Sequence, residues 1–113
     1  MHELSITQSM LDLVLEEAKK SQAQRIRKIN LVLGEMSGIV DECVDFYFDF
    51  LSKDTIASGA TLSFRTVPMR VRCRNCGEVF TPKEFDWACP KCQKSGSEVI
   101  AGNELYIESI EVE

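Results

Sequence analysis

At 113 residues, with 44% hydrophobic and 27% charged side chains, the chain has room for one globular domain and a small appendage. No run of about 18 apolar residues occurs, which excludes a membrane-spanning helix, and Met1-His2-Glu3 lacks the basic and apolar regions of a secretory leader. The formal charge of −5 argues against bulk attraction to nucleic acid or to anionic membrane. Five cysteines without a leader point to a cytoplasmic chain, where paired cysteines hold metal more often than they form disulfides.

In chain order, Ser5-Ile6-Thr7-Gln8 fits a capping box, with Ser5 as N-cap and Gln8 three positions on. Met10, Leu11, Val14, Leu15 and Ala18 follow at helical spacing, and Lys19-Lys20 suit a helix C-terminus. A first helix is therefore predicted over 5–21, with Met1 to Leu4 ahead of it. Ile29, Leu31 and Leu33 alternate with Lys28, Asn30 and Val32, which reads as a strand ending at Gly34. Met36-Ser37-Gly38 is a loop. A second helix runs from Asp41 to about Lys53, its acids at the favourable end and its aromatic residues read as core. Leu62 and Phe64 mark a second strand, stopped by Pro68, and Leu105 to Val112 a last one. The fold class is α+β: a small three-stranded sheet with two helices and an inserted four-cysteine ribbon. The expected division is a domain over 1–68 and 101–113, with the ribbon over 69–100.

The ribbon carries the clearest chemistry. Cys73-x2-Cys76 and Cys89-x2-Cys92 place two pairs of sulfurs on tight turns, and two facing turns complete the tetrahedron that zinc accepts. Gly77 and Pro90 suit the sharp backbone. Four thiolates leave no open position for water, so the site is expected to be structural. An iron–sulfur cluster and a redox dithiol pair are the lesser alternatives. Cys43 has no partner cysteine or histidine near it in sequence and reads as a small buried hydrophobe. Six Lys/Arg against Glu78, Glu84 and Asp86 give residues 69–95 a charge of +3, and the rest of the chain −8. Four thiolates around one zinc ion bring the ribbon close to neutral.

His2 is the sole histidine. The Met1 amine, the His2 amide and the His2 imidazole can close two fused chelate rings around one metal, with the amide or carboxylate of Glu3 as fourth donor. Such nitrogen-rich planar donors suit nickel(II) or copper(II). A helix N-terminus nearby would favour the anionic complex. Position alone reads more readily as a frayed end than as a metal site.

Met-His-Glu at the start, Leu33-Gly-Glu-Met-Ser-Gly38, the aromatic helix from Cys43 to Phe50 and Thr55-Ile-Ala-Ser-Gly-Ala-Thr61 occur in order, followed by both C-x2-C pairs and Ile107-Glu-Ser-Ile-Glu-Val112. In that combination the whole chain resembles the HypA/HybF family of hydrogenase maturation factors, the nickel metallochaperones. The resemblance implies a nickel-binding α/β domain beside a zinc ribbon. It implies delivery of nickel to the large subunit of a nickel–iron hydrogenase, cooperation with a maturation GTPase and, in some organisms, service to urease and its maturation proteins. The family's nickel motif falls on His2 and Glu3 with Met1 backbone nitrogen, and its zinc motif on Cys73, Cys76, Cys89 and Cys92. Some members carry histidines beside the zinc cysteines; this chain has none there.

The competing function is a zinc-ribbon module that binds protein or nucleic acid without nickel transfer, to which Arg72 and Arg74 beside Cys73 lend some support. The near-neutral ribbon lacks the aromatic and basic stripe that stacks bases. A catalyst is not expected, because no Ser-His-Asp set and no phosphate loop can be assembled. The expected state is a monomer or weak homodimer, without nucleic acid or membrane partners.

Overall fold

A computed structural model of the chain describes residues 2–83 and 87–113. The elements are α1 (Glu3–Lys20), β1 (Ile26–Gly34), α2 (Asp41–Leu51), β2 (Thr61–Val67), β3 (Arg70–Cys73), β4 (Val79–Phe80), β5 (Ser97–Ala101) and β6 (Leu105–Val112). They form two three-stranded sheets, ordered β2-β1-β6 and β4-β3-β5. The chain divides into two units, one of residues 1–32, 38–65 and 106–113, the other of residues 33–37 and 66–105.

In the first unit, Met10, Leu11, Val14 and Ala18 of α1 pack with Ile26, Ile29 and Leu31 of β1, Val44 and Phe48 of α2, and Ala57. Removing each large side chain from water contributes about 1.5–3 kcal/mol. The core thus rests on one stripe of each helix and on the central strand. From Leu31 to Gly34 every residue of β1 is buried, so the alternation expected along the strand ends halfway.

Two sequence expectations need correction. Helix α1 starts at Glu3, not at Ser5, and Ser5 is not its cap. Glu3 and Thr7 are buried on the same stripe as Leu11 and Val14, so packing extends the helix by two residues. His2 takes the N-cap position, and its carbonyl accepts from the Ile6 N–H at 3.0 Å and the Ser5 hydroxyl at 3.1 Å. Gln8 donates to Asp12 instead of closing a capping box.

The second correction concerns α2. Val44 and Phe48 are its buried side chains, whereas Phe46 is 67% exposed and Phe50 46%. Each lies two residues on from a core position, which is about 200° round the helix. Cys43 is half-buried, not fully enclosed.

The second unit explains the Leu33–Gly38 motif. Gly34 donates to the Glu104 carbonyl at 2.7 Å, Glu35 to that of Val67 at 2.8 Å, and Met36 to that of Gly102 at 2.7 Å. A Cβ on Gly34 would lie 2.0 Å from the Gly102 carbonyl oxygen, so only glycine fits. The Glu35 carboxylate also accepts from the Met69 N–H at 3.4 Å.

Glu3 ties the starts of the two helices together. The residue is 5% exposed, and its carboxylate accepts from the N–H of Val40, the N-cap of α2, at 3.2 Å. Hydrogen bonds, among them those from the backbone amides of Glu3 and Val40, hold this carboxyl down to about 2. An unfolded glutamate titrates near ~4.3, so the stabilisation is whole above that value and is lost as pH falls towards the folded one. Acid unfolding of wild type and Glu3→Gln, followed by circular dichroism, is expected to show the variant less stable at neutral pH. The gap should narrow as pH drops from about 4.3 to about 2. A gap independent of pH would mean that the Glu3 charge does not support the fold.

Candidate metal sites

Of the seven residues singled out from the sequence, the structure gathers four. The sulfurs of Cys73, Cys76, Cys89 and Cys92 all lie within 4.8 Å of one another. The Cys73–Cys92 and Cys76–Cys89 pairs are each 3.5 Å apart, too long for a disulfide bond. A tetrahedron with zinc–sulfur bonds of about 2.3 Å has edges of roughly 3.8 Å. The cluster therefore fits a structural zinc site, and this donor set is complete without water.

Two matching turns build it. In the first, Gly77 takes φ 81° and donates to the Cys73 carbonyl at 2.9 Å. In the second, Gln93 takes φ 63° and donates to the Cys89 carbonyl at 2.8 Å. A left-handed non-glycine residue costs about 1–2 kcal/mol. Gln93 therefore sits in a strain that the closed cluster must offset. Sequence reading identified Gly77 and missed Gln93, because glutamine carries no signal for positive φ. The turns are joined through β3 and β5: Cys73 pairs with Ser97, and Arg74 donates to the Gly96 carbonyl at 3.1 Å.

Backbone amides point at the sulfurs. Lys91 and Cys92 donate to the Cys89 sulfur at 3.4 and 3.5 Å. The Lys94 backbone N–H draws the Cys92 thiol down to about 6. At Cys76 the Glu78 backbone works in the same direction, but desolvation and the three neighbouring sulfurs prevail and push that thiol up to about 12. Four sulfurs this close cannot all ionise unless a cation offsets their charge.

The amino-terminal residues present a different chemistry. His2 is exposed at the head of α1, and its imidazole makes no helix-capping hydrogen bond. Glu3 is buried behind it, with its carboxylate engaged by Val40. The Met1 amine lies outside the described residues. Leu4, Ser5, Gln8 and Leu51 line an open concavity with His2 of about 540 Å³.

Residues 1–112 match the family model described as hydrogenase/urease nickel incorporation, metallochaperone, hypA. A curated hydrogenase maturation factor HypA from Dehalococcoides mccartyi is 50% identical over 113 residues, which cover 100% of this chain and 95% of the relative. A solution structure of HypA protein superposes with a TM-score of 0.77 at 29% identity, covering 99% of this chain and 96% of that one. The solution structure of the Ni metallochaperone HypA from Helicobacter pylori gives a TM-score of 0.67 at 28% identity, covering 99% and 97%. The chain belongs to the HypA family of nickel-incorporation metallochaperones of hydrogenase maturation.

Proposed function

We propose that this chain binds Ni(II) at its amino terminus and hands it to the large subunit of a nickel–iron hydrogenase, with a maturation GTPase as co-worker. Urease, which the family description names beside hydrogenase, is the second acceptor. In this reading the protein is a cytoplasmic carrier and not a catalyst, working as a monomer or weak homodimer. Its partners are proteins: Arg72, beside the ribbon cysteines, is turned to Glu98 at 3.7 Å and not left for phosphate.

The observation that carries the nickel site is the placement of His2. Its carbonyl serves the helix, while its imidazole stands exposed. The proposed donors are the Met1 amine, the His2 amide and imidazole, and Glu3 through its backbone amide. The Glu3 carboxylate is already employed at Val40, so the amide is the better fourth donor. Nitrogen donors in this arrangement favour square-planar Ni(II), whereas the four sulfurs favour zinc. Nickel must displace protons from these groups, so its affinity falls in acid.

Two experiments divide the assignment. Replacing Cys73 or Cys89 with serine should release zinc and unfold the ribbon, because metal binding is here folding energy of about 10 kcal/mol or more. The core of the first unit should keep its helical signal. A variant that still held one zinc per chain at full affinity would defeat the four-cysteine assignment.

For nickel, proteins with a native terminus, with a short N-terminal tag, and with His2→Ala would be compared by calorimetry and by the visible band of planar Ni(II). The tag converts the Met1 amine into an amide and should weaken binding or change its geometry. His2→Ala should lower affinity further, by about 100-fold or more, with zinc content unchanged. Equal binding by all three would place the nickel elsewhere.

A further inference from the structure

Helix α2 carries a second feature that metal binding does not use. Phe46, Tyr47 and Phe50 form a closed aromatic triangle on its outer side. Their ring centroids are 5.5, 6.2 and 5.9 Å apart, with interplanar angles of 71–76°. Two of the three rings face water, Phe46 at 67% and Phe50 at 46% exposure. Scattered exposed apolar residues are ordinary, but a preassembled aromatic cluster with a charged rim marks a recognition surface.

The patch continues towards the proposed cargo. Leu51 lies one helical turn on from Tyr47, and it lines the concavity that holds His2 and Leu4. Along α2 one flank of the patch forms an acidic rim, Asp41, Glu42, Asp45 and Asp49, with no lysine or arginine in the helix.

We infer that the outer face of α2 docks a cationic, amphipathic segment of a partner protein, with apolar side chains over Phe46, Tyr47 and Phe50 and lysines or arginines against the acidic rim. Charge selects this occupant. A second copy of the chain, itself of formal charge −5, would bring like charge to this face, and with the two helices antiparallel would set acids against acids. Anionic lipid and nucleic acid meet the same repulsion. The value of the position, beside His2, rests on the nickel-carrier reading; the surface itself does not. A partner seated there would bring its own groups to the edge of the nickel-bearing terminus.

The test uses the full chain and two synthetic helical peptides of about 18 residues. Both carry the same leucine stripe, one flanked by lysines and the other by glutamates. The lysine peptide is expected to bind at least about tenfold more tightly and to shift the amide resonances of residues 46–51. Phe46→Ser with Phe50→Ser should abolish binding, and Asp45→Lys with Asp49→Lys should transfer the preference to the glutamate peptide. Equal binding of the two peptides, resonance shifts confined to another surface, or concentration-dependent self-association through residues 46–51 would overturn the inference. Nickel and zinc stoichiometry measured on the same proteins separates the two readings. Peptide discrimination that persists in a protein with no terminal nickel site would uphold the docking surface and reject the carrier chemistry.

Discussion

Four sulfurs gathered within 4.8 Å of one another repel as soon as they ionise, and the second unit depends on a cation that ends that repulsion. Among its described residues, the second unit beyond β1 buries few large apolar side chains, Met69 and Val71. Its sheet consists of strands of four, two and five residues, and among its apolar side chains Val79, Val99 and Ile100 are exposed. Its fully buried groups include two of the metal-binding cysteines themselves, Cys73 and Cys89. A cluster that closes the two turns therefore stands in for the hydrophobic core that so short a segment cannot build.

This dependence divides the labour between the metals. A site made of four soft thiolates with no open position is suited to holding an ion and poorly suited to releasing it. The proposed nickel donors have the opposite character, because His2 is exposed and stands at the head of α1. Glu3 gives the first turn of α1 a fixed base. Its carboxylate reaches the Val40 N–H, so one residue of the proposed nickel set is anchored to the start of α2 while His2 remains accessible. In the proposed reading, the chain is thus held firmly up to the residue at which nickel would exchange.

Much of this was legible in the sequence. The two C-x2-C pairs specify the sulfur cluster by spacing alone, and the periodicities of α1, β1 and β6 specify their elements. What was not legible follows from tertiary packing. The early start of α1 depends on Glu3 and Thr7 being buried, which a capping pattern at Ser5 and Gln8 cannot announce. The aromatic residues of α2 read as core because hydrophobicity alone does not reveal which side of a short helix meets the sheet. Gly34 and Glu35 read as the end of a strand, yet they bind the Gly102–Glu104 turn and Met69, residues roughly seventy and thirty-five positions away. No local pattern carries such contacts.

The separation of the two metals by donor chemistry is the claim on which the rest stands. X-ray absorption at the nickel and zinc edges of the same doubly loaded, untagged protein tests it most directly. The predicted result is a zinc shell of four sulfurs at about 2.3 Å and a planar nickel shell of four nitrogens. Sulfur in the nickel shell, or nitrogen in place of sulfur around zinc, would contradict it.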